Sequence, residues 1–501
     1  MMHTPFFLLY FAVLLVLSGY GLHRSHLVYL VLRNKNRIPL LRRGFRASDD
    51  DPSRPLPYVT VQLPLYNEAT VATRLLDAVS RFDYPRDRLE IQVLDDSTDE
   101  TAQLVNRQVE GMRAAGLDAV VVRRSNRVGY KAGALDEGLQ VAKGDLVAIF
   151  DADFIPQPGF LRSLVGEFED ERVGCVQARW GHLNRDHSLL TRVQALMLDG
   201  HHLVENRARF AAGRIFNFSG TGGIWRRAAI ESAGGWQHDT LTEDLDLSYR
   251  AQLAGWRFVY REDVETPAEL PEDLSALRAQ QYRWAKGTVQ TARKLLGTVM
   301  RSNLTLAQRV EAFFHLTPHF AYPLMVALSI LLLPALLLSP ATDIRTMALV
   351  DLPLCLGTTG SLAAFYGMAE RAQGRSAWTA LRRLPTLISL GMGMAPHLTR
   401  AVWDGLQSMA GEFVRTPKKG TRAGRYSVYA SLPLAEMALC AVSVASVVVS
   451  IQTGHWFAAP FATMFAFGYG YVATLVVQEQ TSRRRAVLTQ PEIKRPMPLA
   501  G

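Results

Sequence analysis

Five apolar stretches, each longer than an ordinary core strand, constrain this chain more than any other feature. Residues 5–22 (PFFLLYFAVLLVLSGYGL) carry no charge, and 313–338, 347–369, 428–452 and 456–477 reach membrane-spanning length. Residues 51–300 read differently: short β-rich runs alternate with charged helical segments over enough chain to bury an α/β core. The expected organisation is one such domain placed between transmembrane helices. Bulk composition, 48% hydrophobic and 20% charged, conceals this division but excludes disorder, collagen and a small disulfide scaffold. Cys175, Cys355 and Cys440 form no close pair, so neither a disulfide framework nor a zinc site follows.

Basic residues give the orientation. The first run lacks a basic n-region and a small-x-small cleavage site, which makes it a retained span. Residues 24–46 hold seven Arg and Lys and no acid, placing that flank and the following domain in the cytoplasm. Further positive flanks at Arg371, Arg375, Arg382 and Arg383, and at Arg415, Lys418 and Lys419, leave 384–402 with cytoplasmic residues on both sides. That segment is expected to lie at the membrane surface, interrupted by Pro396 and its glycines. Five spans follow, with the N-terminus outside and the C-terminus inside. The net charge of +9 gathers beside the spans, where headgroups and topology account for it, so no nucleic-acid partner is expected.

Within the central domain, strand YVTVQLPL (58–65) ends in Tyr66-Asn67-Glu68 and a helical pattern covers 69–81. Strand IQVL (91–94) ends in Asp95-Asp96, AVVVRR (119–124) precedes Lys131, and LVAIF (146–150) runs into Asp151-Ala152-Asp153. Ligands of open α/β sheets bind at such strand ends, so the fold reads as Rossmann-like. The glycine fingerprint of dinucleotide folds and the P-loop are both missing, which disfavours NAD-type and ATP-type chemistry. Asp151 and Asp153, two residues apart, can present carboxylates to a Mg2+ or Mn2+ that also bridges a diphosphate, and Lys131 adds a point charge. A D-x-D standing alone would favour a solvated acidic turn; the succession of polar strand ends reverses that preference in favour of the site.

Downstream stand FSGTGGIWR (218–226), Thr242-Glu243-Asp244 and QQYRW (280–284). A D-D, a D-x-D, a T-E-D and a Q-x-x-R-W in this order resemble the processive glycosyltransferases of family 2, the cellulose-synthase superfamily. The wording QLPLYNE, IQVLDDSTD, YKAGAL, FDADF and TEDLDLSYRAQLAGWRFVY is similar to its mannan and glucomannan synthases. The resemblance covers about 57–300 and the flanking topology. It implies a GT-A type nucleotide-sugar domain and an inverting enzyme of the plasma (inner) membrane. That enzyme would polymerise a β-1,4-linked mannan, glucomannan or glucan from GDP-mannose or UDP-glucose, with a growing polysaccharide acceptor and membrane lipid as partners.

Residue by residue, the resemblance assigns Asp244 as base with Glu243 beside it. Asn67, Glu68, Asp95, Asp96, Lys131, Asp151 and Arg283 go to the donor, and Asp151 and Asp153 to the metal. Gly220, Thr221, Gln280 and Trp284 go to the acceptor. Thr242 is also placed to cap a helix and thereby orient Asp244. Phe413, Thr416 and Lys418 in EFVRTPKKG (412–420) resemble a gating loop, although Arg415 stands where that family has Val. His201-His202 lack an acid at zincin spacing and are expected to be structural. Expected boundaries are 1–32 for the first helix and flank, 33–56 for a basic linker, 57–300 for the catalytic domain, 301–480 for membrane and interfacial helices, and 481–501 for a basic tail. A non-processive lipid glycosyltransferase is the alternative; a transporter or inactive scaffold is a third reading that the intact acids disfavour.

Overall fold

The computed structural model describes residues 4–36, 56–338, 359–409, 411 and 433–489. Its centre is a seven-stranded sheet of order β3-β2-β1-β4-β6-β5-β7, made of β1 (Val59–Leu65), β2 (Leu89–Asp95), β3 (Asp118–Val122), β4 (Leu146–Ile149), β5 (Val173–His182), β6 (Gly223–Arg226) and β7 (Arg257–Ala268). The first four strands run parallel, β6 is antiparallel to β4 and β5, and β7 is parallel to β5. Helices α1 (Thr4–Arg33), α2 (Ala72–Val79), α3 (Thr101–Ala114) and α4 (Tyr130–Val141) come first in the chain, the last three as crossovers of the parallel half. Both faces of these strands are covered, which is why β1 and β2 read as nearly continuous apolar runs. Their buried polar residues pair across the ladder, Thr60 with Glu90 at 2.7 Å and Gln62 with Gln92 at 3.1 Å, so none of that polarity is wasted on an apolar core.

The remaining helices that matter here are α5 (Leu189–Gly200), α6 (Glu243–Leu253), α7 (Leu274–Arg301), α8 (Leu306–Leu316), α9 (Ala321–Leu338), α10 (Ser361–Ala372), α11 (Ala377–Gln407), α12 (Leu434–Gln452) and α13 (Ala458–Thr489). Four stretches among the described residues are long and apolar enough to cross a membrane: Pro5–Arg33, Pro318–Leu338, Leu434–Gln452 and Ala458–Ser482. The protein is an integral membrane protein. Of the expected span 347–369, residues 347–358 lie outside the described residues; the remainder forms part of α10, where Phe365, Tyr366 and Ala369 are buried with Leu27 of α1 and Leu196 of α5.

The first helix carries the apolar stretch 5–22 and runs on to Arg33, where Leu27, Leu30 and Val31 are buried with Val193 and Leu196 of α5 and Leu274 of α7. One expectation needs correction. The interruption expected within 384–402 is not there: α11 is one continuous helix through Pro385 and Pro396. Its buried Gly393 is packed so closely on α13 that an added Cβ would lie 2.2 Å from Gly468 O, so this glycine serves helix–helix approach. Along its length α11 leans on α7: His397 Nε2 lies 3.2 Å from Arg278 O, and Tyr282 hydrogen-bonds Asp404.

Candidate active site

A cleft of about 210 Å3 opens over the carboxyl ends of β1, β2, β4 and β5 and is closed on the other side by α6 and α7. Tyr66 and Glu68 follow β1, Asp96 follows β2, and Asp151 and Asp153 follow β4; all line it. Period-two geometry decides which of two adjacent acids reaches the cleft. Asp96 faces it, held by Arg124 at 2.5 Å, whereas Asp95 turns back into the sheet, paired with Arg123 at 2.7 Å and accepting from Ser97 N at 3.1 Å. Asp95 thus does not line the cleft and supports the β2–β3 corner. Asn67 is displaced for a related reason: with φ +54° it is committed to the turn, accepting from Thr98 N at 2.8 Å, and does not line the cleft.

Lys131, in the first turn of α4, projects across the cleft to Asp151 Oδ1 at 2.5 Å, Gly220 O at 2.9 Å and Glu243 Oε1 at 3.9 Å. The Gly220–Gly222 loop needs its glycines, since φ is +82° and +66° at those positions. A Cβ at Gly220 would stand 3.0 Å from Asp244 Oδ2, so the missing side chain leaves that carboxylate its space. Thr221 does not line the cleft; its hydroxyl accepts from Asp151 N at 2.9 Å and fixes the start of the D-x-D turn instead.

Asp244 lies in the first turn of α6. Thr242 occupies the N-cap position but makes no capping bond, because its hydroxyl lies 3.1 Å from that of Thr291 on α7. Orientation of Asp244 comes instead from Leu245 N, which donates to Oδ1 at 2.8 Å. Burial, and secondarily the charge of Glu243, raise the Asp244 carboxyl to about 7, and burial raises Glu243 as well. Lys131 opposes both shifts. Arg283 is pulled down from its usual range by burial, with Glu243 and Asp151 acting against that loss of charge. Such a partly buried mixture of acids and bases suits proton transfer beside a developing anion.

Gln280, Arg283 and Trp284, spaced at three and four along α7, share one face and all line the cleft. Among the lining residues not assigned from sequence are Arg127, whose guanidinium stacks 3.2 Å from the Tyr66 ring centroid, Trp180 and His182. The available signal was positional, since all are polar-tipped or aromatic residues at strand ends or beside a glycine turn. His201 pairs with Glu205 at 2.9 Å, while His202 is buried with its ring 5.2 Å from that of Trp180. Phe413, Thr416 and Lys418 lie outside the described residues.

No group of three or more His, Cys, Asp or Glu among the described residues is placed to hold a metal by itself. Asp151 and Asp153 supply hard oxygen donors at the cleft wall, and a hard cation that shares diphosphate oxygens needs only one or two carboxylates. The donor set fits such an ion.

A family model described as glycosyltransferase like family 2 matches residues 57–287. Among relatives, glucomannan 4-beta-mannosyltransferase 1 of Oryza sativa subsp. japonica is 34% identical over 453 residues, covering 86% of both chains. Glucomannan 4-beta-mannosyltransferase 2 of Arabidopsis thaliana is 36% identical, covering 76% of this chain and 72% of its own. Among solved structures, a mannosyltransferase of Pyrobaculum calidifontis in complex with GDP-Man and Mn2+ superposes with a TM-score of 0.51. It is 24% identical and covers 78% of this chain and 99% of its own.

Proposed function

The chain belongs to glycosyltransferase family 2, and from that premise we propose that it polymerises a β-1,4-linked mannan or glucomannan from GDP-mannose and passes the product between its own spans. The carrying observation is the half-buried Asp244, which shares one cleft with Lys131 and Arg283. The mannose donor and the β-1,4 linkage rest on the names of the relatives, which extend over most of this chain.

Asp244 takes the proton of the acceptor hydroxyl as that oxygen bonds to the anomeric carbon. The bond from that carbon to the diphosphate breaks on the opposite face, the electron pair leaves with the phosphate, and the configuration inverts. Lys131 and Arg283 balance the charge that builds on the leaving group. Asp151 and Asp153 would hold a Mg2+ or Mn2+, which when bound supplies Lewis-acid stabilisation of the diphosphate. Glu68 and Asp96 border the nucleoside end, while Gln280 and Trp284 border the acceptor, whose apolar sugar face suits the indole.

The catalytic domain, residues 57–300, is proposed to face the cytoplasm, with the N-terminus outside. Contacts support a shared side for several helix ends. Arg375 before α11 reaches Asp199 of the catalytic domain at 3.3 Å, and Arg278 of α7 pairs with Glu436 at the start of α12 at 2.9 Å. Glu479 near the end of α13 accepts from Ser275 N at 3.1 Å. Because α11 touches α7 in its middle and at its far end, it fits a helix lying against the domain rather than crossing.

The deciding experiment offers GDP-mannose and UDP-glucose separately to purified membranes and digests the product with linkage-specific glycanases. Long mannanase-sensitive chains from GDP-mannose are expected. A single sugar transferred to lipid, with no chain growth, would replace this reading by the lipid glycosyltransferase.

A further inference from the structure

His182 ends β5 two residues beyond Trp180, so the two side chains share a face of the strand, about 7 Å apart at ~3.3 Å per residue. Both line the cleft. Trp180 is tied to the glycine loop by its indole N–H, which donates to Thr221 O at 3.4 Å, and His182, two residues farther along β5, is held from α5. Its Nε2 is 3.0 Å from Asp199 Oδ1 on α5. A carboxylate only accepts, so Nε2 carries the proton and Nδ1 is left as an acceptor. Nδ1 has no hydrogen-bond partner among the described residues and keeps accessible surface.

The pair is built into a rigid frame. Asp199 is 1% exposed and also binds Arg185 and, at 3.3 Å, Arg375; Arg375 in turn binds the fully buried Glu370 of α10 at 2.6 Å. Burial first, and then Arg185, push the imidazole down to about 3, so it stays neutral in ordinary buffers. A neutral ring fixed by a buried carboxylate is a poor base and a well-oriented hydrogen-bond acceptor. Nothing in the transfer step uses it.

We propose that His182, oriented by Asp199, is a specificity-determining residue whose Nδ1 accepts a hydrogen bond from a hydroxyl of the acceptor saccharide, one sugar unit behind the residue undergoing transfer. The assignment rests on the reading of this cleft as a saccharide-elongating site. It follows from position: Trp284 and the Gly220 loop border the reacting end beside Asp244, and His182 stands on the wall that leads toward α10 and α11. A neutral acceptor suits a chain that must slide, because a single weak bond can be broken and remade at each step.

The test measures primer elongation by full-length protein in detergent or nanodiscs, using β-1,4-manno-oligosaccharides of one to five sugars and GDP-mannose. For His182→Phe, KM for primers of two or more sugars should rise about three- to tenfold, the loss of one net hydrogen bond. The single-sugar acceptor and donor KM should shift less than twofold, and kcat should change little. His182→Asn, whose amide oxygen also accepts, should recover part of the affinity for long primers. Equal losses at every primer length, or unchanged KM for long primers in a His182→Phe protein with wild-type thermal stability, would overturn the assignment. Failure of the wild type itself to elongate any primer, with transfer to lipid instead, would mark failure of the polymerase reading and so withdraw the proposal on separate grounds.

Discussion

Lys131 Nζ lies 2.5 Å from Asp151 Oδ1 and 3.9 Å from Glu243 Oε1, so one ammonium joins the acid that follows β4 to the acid that opens α6. That link connects the proposed donor wall of the cleft to the helix that carries the proposed base. Replacing it with Met should raise donor KM and lower kcat together, with kcat/KM falling on the order of 100-fold, since the ammonium meets the diphosphate in both ground and transition states. Steady-state kinetics against the donor measure this; a kcat/KM within threefold of wild type would remove Lys131 from the site.

Asp244→Asn should lower kcat by about 10²–10⁴-fold while donor affinity, measured by calorimetry with a non-transferable analogue, changes by less than about threefold. The carboxylate acts on the acceptor proton, which the donor alone does not present. Retention of more than about a tenth of wild-type turnover would assign the base elsewhere.

The pH profile carries a sign. Burial and the Glu243 charge hold the Asp244 carboxyl near 7, and only its ionised form takes a proton. The value of kcat/KM should fall about tenfold per unit as pH drops below about 7 and level off above it. Glu243→Gln deletes the second cause of the elevation, so its acid limb should move to lower pH. A limb that stays put, or moves up, contradicts the assignment.

Removal of divalent metal by chelation should abolish transfer, with Mn2+ or Mg2+ restoring it, and Asp153→Ala should raise the metal concentration needed for half-maximal rate at least tenfold. Undiminished turnover in excess EDTA would take the ion out of the mechanism.

Gly220→Ala should cost about 1–2 kcal/mol of stability, because φ is +82° there, and should lower kcat beyond that loss. The added Cβ would press on Asp244 Oδ2 from 3.0 Å. Thermal melts and initial rates separate the two effects: a melting temperature that drops without any change in rate would place the crowding elsewhere.

Local order along the chain was enough to identify the strands from β1 to β4, the polar residues at their ends and the Gln280-Arg283-Trp284 face, because period-two and near-3.6 patterns are properties of neighbouring residues. The ordered motifs did the same for the family. Which member of an adjacent pair reaches the cleft was settled by packing. Asp95 and Asp96 look alike in sequence, yet the pleat sends one to Arg123 and the other to the cleft. Thr242 carries the signature of a helix cap, but Thr291, 49 residues away, claims its hydroxyl. Pro396 and the glycines of α11 suggest a break, yet the helix runs on, and Gly393 serves as a close contact with the apposed α13. The raised carboxyl of Asp244 and the Asp199 support of His182 depend on burial and on charges distant in sequence. Sequence thus determined the first four strands, the chemical groups and the apolar lengths, all set by covalent neighbours. Only the tertiary structure decided which groups lose water and which charges face one another, because desolvation and Coulomb energy depend on distances that chain order does not contain.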